Sequence, residues 1–128
     1  MEIIANELQT VLENQNVLFT DTVVPGKACT MHRAGSGLVS LKGLTNQCRA
    51  RFKVSFGANI AIPTAGTVGA ISLGLVIDGE PITTTTMIVT PAAVEEFFNV
   101  YSSVYLDIPR GCCSQISVRN ISSQPVDV

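Results

Sequence analysis

Apolar and polar residues alternate with a period of two through the second half of this chain, and that period excludes most alternatives to a sheet. In Ala50-Arg51-Phe52-Lys53-Val54-Ser55-Phe56, Phe52, Val54 and Phe56 fall on one side and Arg51, Lys53 and Ser55 on the other. A helix repeats near 3.6 residues and would smear this pattern around its axis, whereas a strand sends successive side chains to opposite faces. The same parity returns after Phe97. Phe98, Val100, Ser102, Val104, Leu106 and Ile108 share one side, and Asn99, Tyr101, Ser103, Tyr105 and Asp107 share the other. One wet and one dry face is the signature of an antiparallel sheet lying on a core.

Turn residues separate the alternating segments. Ala70 to Ile77 is a strand followed by Asp78-Gly79, a strong hairpin signal. The return strand is expected over Ile82 to Thr90, because the four threonines at 83–86 are β-branched and suit a pleated surface. Thr90-Pro91 could open a helix, but the alternation that begins at Phe97 predicts a turn leading into a long strand. Pro109-Arg110-Gly111 is the next turn, Cys113 to Ile121 a further strand with Ile116 and Val118 inward, and Val126 and Val128 begin a last one. Asn59 to Gly66, with Pro63, reads as a loop.

The N-terminal third is less regular. Ile4, Leu8, Val11 and Leu12 fit a helical stripe, whereas Val17 to Thr20, Thr22 to Val24 and Leu38 to Leu41 read as strands. The expected organisation is an N-terminal arm or first strand over 1–14 and one β domain over 15–128. Short strands at regular spacing make the fold class all-β, a two-sheet antiparallel sandwich or jelly roll.

Only 14% of the residues are charged, against roughly 25% in typical soluble domains. Mean hydropathy is +0.37, yet no apolar run approaches the ~18–20 residues of a membrane-spanning helix, so no membrane insertion is expected. The first residues, Met1-Glu2-Ile3-Ile4-Ala5-Asn6-Glu7, lack the basic start of a secretion signal. Synthesis in the cytoplasm without a cleaved signal peptide is the expectation. A pleated surface with so few ions is expected to be covered by copies of itself. Tyr101 and Tyr105, four apart on a polar face, and Gly74 and Val76, on the small-residue face of the strand before Asp78, are the candidate subunit-interface residues.

The charges fall in blocks. Residues 1–26 carry only acids, 27–53 hold Lys27, Arg33, Lys42, Arg49, Arg51 and Lys53 without an acid, and 54–107 carry only acids. Sheet neighbours can pair such blocks within or between subunits. The basic block lacks interleaved exposed aromatics, so no nucleic-acid partner is expected.

Catalytic and metal chemistry find no constellation. His32 is the single histidine and the only candidate general base, near Cys29 on a predicted loop; an incidental loop histidine is the favoured reading. Glu95-Glu96 and Asp78/Glu80 are paired carboxylates, the second pair flanking a turn where acids are common. Cys29, Cys48, Cys112 and Cys113 have no C-x-x-C spacing and are expected as buried free thiols, with a bridge between Cys29 or Cys48 and the late pair as the alternative. Asn120-Ile121-Ser122 matches a glycosylation sequon by chance. No catalytic residue, cofactor or metal is expected.

Several phrases together resemble a known family. Gln15-Asn16-Val17-Leu18-Phe19-Thr20 precedes a Pro-Gly turn; Ile71-Ser72-Leu73-Gly74-Leu75-Val76-Ile77-Asp78-Gly79-Glu80-Pro81 is followed by Phe97-Phe98-Asn99-Val100; Leu106-Asp107-Ile108-Pro109-Arg110-Gly111-Cys112-Cys113 and Ser117-Val118-Arg119-Asn120 close the pattern. Over residues 10–128 the chain resembles the small jelly-roll domains, similar to C1q and tumour necrosis factor, of bacterial surface proteins and prophage-encoded virion proteins. The resemblance implies a ten-strand, two-sheet jelly roll, a tight homotrimer, and a structural role in decorating the head or fibre of a phage or prophage particle. It implies a larger protein scaffold, such as a capsid or surface layer, as partner, and a virion or bacterial surface as location. The chain departs from the filament-tip members in carrying no Gly-X-Y stalk. The alternative expectation is a receptor- or glycan-binding module on a bacterial or spore surface, with the loops Asn59–Gly69 and Met31–Gly37 as candidate binding elements.

Overall fold

A computed structural model of the chain describes residues 1–26, 30–42, 49–109 and 113–128. Among them the chain is all-β, with several antiparallel sheets. The strands are β1 (Glu2–Ile4), β2 (Thr10–Val11), β3 (Asp21–Val24), β4 (Thr30–His32), β5 (Val39–Lys42), β6 (Arg49–Ile60), β7 (Ile71–Ile77), β8 (Glu80–Pro81), β9 (Met87–Val89), β10 (Phe98–Pro109), β11 (Cys113–Asn120) and β12 (Val126–Asp127).

The longest pairing is the β6–β10 ribbon, in unbroken antiparallel register from Phe98 opposite Ile60 to Pro109 opposite Arg49. Its parity is the one the sequence predicts, except that Phe98, on the dry side by parity, is exposed at the start of the strand. Val100 and Ile108 are buried and Ser102, Val104 and Leu106 half-buried, while Asn99, Tyr101, Ser103, Tyr105 and Asp107 stand in solvent. A two-stranded ribbon is marginal alone. This one is held by its dry face: Phe56 and Val100 join Leu73, Leu75, Met87 and Val118 of the large sheet in the main core. A second cluster of Leu41, Ile108 and Ile116 fills the other end.

The large sheet runs β4-β5-β11-β7-β8, with β9 also on β7. At its centre β7 is buried on both faces, Ile71, Leu73, Leu75 and Val76 included. The hairpin after it is the expected one. Ile77 pairs with Glu80, and the two turn residues have positive φ, 49° at Asp78 and 84° at Gly79. That combination matches the right-handed strand twist and suits Asp-Gly.

Sequence expectations are corrected at several points, among them Val17 to Thr20, which lies in no strand. The return strand does not run through the threonines: Thr83–Thr85 form a 3-10 turn between β8 and β9. Threonine hydroxyls bond locally instead of leaving the backbone to the ladder. Thr85 Oγ1 donates to the Ile82 carbonyl at 2.6 Å and Thr86 Oγ1 to the Thr83 carbonyl at 2.8 Å. The helical stripe of Ile4, Leu8, Val11 and Leu12 is likewise not a helix. β1 pairs with β3 and β2 with β12, and Leu8 and Leu12 are exposed. So short a helix is marginal in water, and the strand edges of β3 and β12 offer its backbone partners that a lone helix lacks.

Three strands lie abreast at one end of the ribbon. Asp127 exchanges both backbone hydrogen bonds with Ala61, just past β6, while Val128 exchanges both with Gln9 on its other side. β12 therefore sits between the β6 line and the β2 line.

Candidate functional site

The most built-up surface is the outward face of the β6–β10 ribbon. Register sets Arg51 opposite Asp107, Lys53 opposite Tyr105, Ser55 opposite Ser103, Gly57 opposite Tyr101 and Asn59 opposite Asn99. Such directly opposed pairs are the elementary contacts of a sheet face. Arg51 Nε donates to Asp107 Oδ1 at 2.9 Å and Arg51 Nη2 to Oδ2 at 3.3 Å, a two-pronged contact joining the basic block to the following acidic one. Asp107 pushes the Arg51 guanidinium above its ordinary value, by that hydrogen bond and by charge. Lys53 Nζ lies 5.9 Å from the Tyr105 ring centroid, within cation–π range. Asn99 Nδ2 donates to Asn59 Oδ1 at 3.2 Å.

Tyr101 and Tyr105 are 62% and 65% exposed on this face. Tyr101 lies over Gly57, where a side-chain carbon would come within 3.5 Å of its ring. Hydrogen bonding to Ser55 and then to Ser103 lowers the Tyr101 phenol below its ordinary value, with Lys53 adding a smaller pull. The face is therefore flat, polar at its ends and aromatic in the middle, without a concavity that would enclose a small ligand.

The other two interface candidates lie elsewhere. Val76 is 1% exposed, and Gly74 is buried under Ile121, whose Cδ1 stands 3.1 Å from where a Gly74 side chain would begin. Both are buried within the chain itself, Gly74 beneath Ile121 just after β11, so the expectation of a subunit contact at Gly74 and Val76 is corrected. The alternation showed that something approaches this face closely, but the covering element is in the same chain.

His32 is on β4 rather than a loop, and its two ring nitrogens are both engaged. Nε2 lies 2.9 Å from the Ser36 carbonyl and Nδ1 2.8 Å from Thr22 Oγ1. A carbonyl only accepts, so Nε2 carries the proton and, in the neutral ring, Nδ1 accepts from Thr22. Its ring meets that of Phe19 edge to face, with centroids 6.2 Å apart. The histidine clamps β3 to the turn after β4; Cys29 lies outside the described residues. One carboxylate of each pair is also in structural use. Asp78 Oδ1 accepts from the Gln115 backbone at 2.9 Å, and Glu95 Oε1 from Thr64 Oγ1 at 2.6 Å.

Cys113 is an exposed free thiol, which corrects the expectation of burial for that residue; Cys48 and Cys112 lie, like Cys29, outside the described residues. The sequon asparagine, Asn120, is fully buried. Sequence reasoning missed it as a structural centre, because an Asn in a short polar motif carries no sign of burial. Among the described residues no group of three His, Cys, Asp or Glu side chains converges as metal ligands, and no helix is long and apolar enough to cross a membrane.

The second notable feature is a cleft of about 830 Å³ beside β6. Its walls are the consecutive residues Met1–Leu8 and Phe52–Asn59, and Val17, Phe19, Leu75, Ile116 and Val118 also line it. No family model matches this chain, and no curated protein is significantly similar to it.

Proposed function

We propose that this chain is a non-enzymatic structural protein: a homotrimeric jelly roll, of the kind similar to C1q and tumour necrosis factor, that decorates the head or fibre of a phage or prophage particle. The observation that carries the reading is the amount and kind of surface left in the open. The folded chain exposes 7322 Å², against about 6,600 Å² for a compact monomer of its mass. Large apolar side chains outside the cleft contribute, among them Leu12, Leu18, Ile88 and Phe98. Monomers do not usually leave contiguous apolar patches open, and covering them between subunits is the ordinary remedy.

Tyr101 and Tyr105 support the same reading. They combine area with a hydrogen-bonding tip on a flat face, the composition favoured at the centre of protein interfaces. The attachment to a particle is supported by the resemblance of the strand-and-turn phrases. The structural use of His32, Asp78 and Glu95 fits a protein whose polar side chains hold loops rather than perform chemistry.

Light scattering at micromolar concentration tests the proposal. The expected mass is three times 13.6 kDa, and the double variant Tyr101→Glu/Tyr105→Glu is expected to lower it while keeping the far-ultraviolet spectrum of a sheet. A wild-type protein of monomer mass would overturn the reading.

A further inference from the structure

We infer that the cleft beside β6 is a strand-acceptor slot, and that its occupant is one extended arm of a partner polypeptide. β6 has two edges, and they differ. One edge is hydrogen-bonded to β10 along the whole ribbon. Along the other, among the described residues, the ladder is made only at the end, where Ala61 pairs with Asp127. Backbone groups alternate between the two edges. Ala61 points to the β12 side, so Asn59, Gly57, Ser55 and Lys53 point their N–H and C=O groups into the cleft.

The width and length of the cleft follow from β12. At Asp127 one strand fits between the β6 line and the β2 line, bonded to both. Carrying that antiparallel register onward runs along Asn59 to Phe52 on one side and Leu8 to Met1 on the other. These are the two walls of the cleft, residue for residue. It is one strand wide and about 27 Å long at the usual rise of ~3.4 Å per residue. Its lining includes Val17, Phe19, Leu75, Ile116 and Val118, which asks for apolar side chains at alternate positions of the occupant. An unpaired edge over an apolar floor is the site that strand addition uses.

The pairings among the described residues bear on the source of the arm. Every strand from β1 to β12 already has a pairing partner within its own chain. Filling the slot from a second copy would require one of these pairings to be given up, whereas an arm of another polypeptide, such as the proposed scaffold, fills it without that loss. The slot and the tyrosine face share Lys53, Ser55, Gly57 and Asn59 of β6, the slot through their backbone groups and the face through their outward side.

The test uses the 128-residue chain and a capped synthetic octapeptide, (Thr-Val)4, followed by amide hydrogen exchange. Binding is expected to slow exchange at Lys53, Ser55, Gly57 and Asn59 by about tenfold or more. The same octapeptide fused directly after Val128, in line with β12, is expected to protect the same four amides. Ser55→Pro removes an N–H that points into the cleft and none that bonds β10, so it is expected to keep the fold, seen by circular dichroism, and to weaken peptide binding about tenfold or more. No protection from either free or fused peptide would overturn the slot. Protection of these amides without peptide, rising with protein concentration, would show a second copy in the cleft and overturn the assignment to another chain. A change in solution mass with unchanged peptide binding would bear on the trimer alone.

Discussion

Asn120 holds Val11, 109 residues earlier in the chain: its side-chain amide donates to the Val11 carbonyl at 2.9 Å. The same nitrogen donates to the Gln124 carbonyl at 2.9 Å, and Oδ1 accepts from the Ser122 backbone at 2.9 Å and from the Ser122 hydroxyl. One fully buried side chain thus joins the end of β11, the strand β2 and the turn leading into β12. Buried polar groups of this kind are tolerable because all their hydrogen-bonding capacity is used.

Replacing that residue therefore leaves orphaned groups in the interior rather than merely losing a contact. Asn120→Ala is expected to lower stability by about 3 kcal/mol, since several carbonyls and amides lose their partner together. Asn120→Asp, nearly the same shape, is expected to be comparably damaging because it loses both donors. Urea unfolding checks both, and the glycosylation sequon is expected to stay unmodified in the folded protein because Asn120 is out of reach.

Thr85 plays a smaller version of the same part. It is 1% exposed, accepts from the Leu75 backbone at 3.0 Å and donates to the Ile82 carbonyl at 2.6 Å. Thr85→Val keeps the volume and removes both bonds, and is expected to cost about 1–3 kcal/mol. Thr85→Ser keeps the hydroxyl and is expected to retain most of the stability. Thermal unfolding of the two variants side by side separates the hydroxyl from the packing.

Gly74 tests whether the second face of β7 is closed by the chain itself. A methyl group there meets Ile121 Cδ1 at 3.1 Å, the end of a flexible side chain. Gly74→Ala is expected to cost about 1 kcal/mol through overpacking, and Ile121→Val in the same molecule is expected to recover part of it by withdrawing that carbon. A double-mutant cycle measures the coupling. Strictly additive effects would mean that Ile121 does not cover this face.

Tyr101 gives a pH signature of the ribbon face. Its phenol lies below the ordinary 10.0, chiefly through hydrogen bonding to Ser55 and Ser103. A depressed acid contributes stability that is present above its unfolded value and is lost as pH falls through the folded one. Ultraviolet titration is expected to show a phenolate forming below pH 10 that Tyr101→Phe abolishes. Relative to Tyr101→Phe, the wild-type protein is expected to gain stability as pH rises through that window. Ser55→Ala is expected to move the titration back toward the ordinary value.

The ribbon is legible in the sequence alone, and so is the hairpin at Asp78-Gly79. Both are local. Alternation over 98–109 fixes two faces whatever lies beyond them, and Asp-Gly suits two successive positive φ angles in almost any context. Of the interface candidates, Tyr101 and Tyr105 stand where parity places them, while Gly74 and Val76 carry the same period and lie in the interior. Periodicity reports that a strand has two sides and not which neighbour covers each.

By itself the sequence determined an all-β chain, its long strands, their wet and dry sides and its tightest turn, because these depend on side-chain parity and on backbone preferences within a few residues. Only the tertiary structure decided that the threonines at 83–86 curl into a turn, that the first residues extend, that Asn120 is interior and that a strand-wide cleft opens beside β6. Each of those outcomes depends on a partner far away in the chain. The hydroxyls of Thr85 and Thr86 compete with a ladder, β3 and β12 supply edges to β1 and β2, and the Val11 carbonyl waits for Asn120. The free energy that settles such choices comes from contacts made only when remote segments meet.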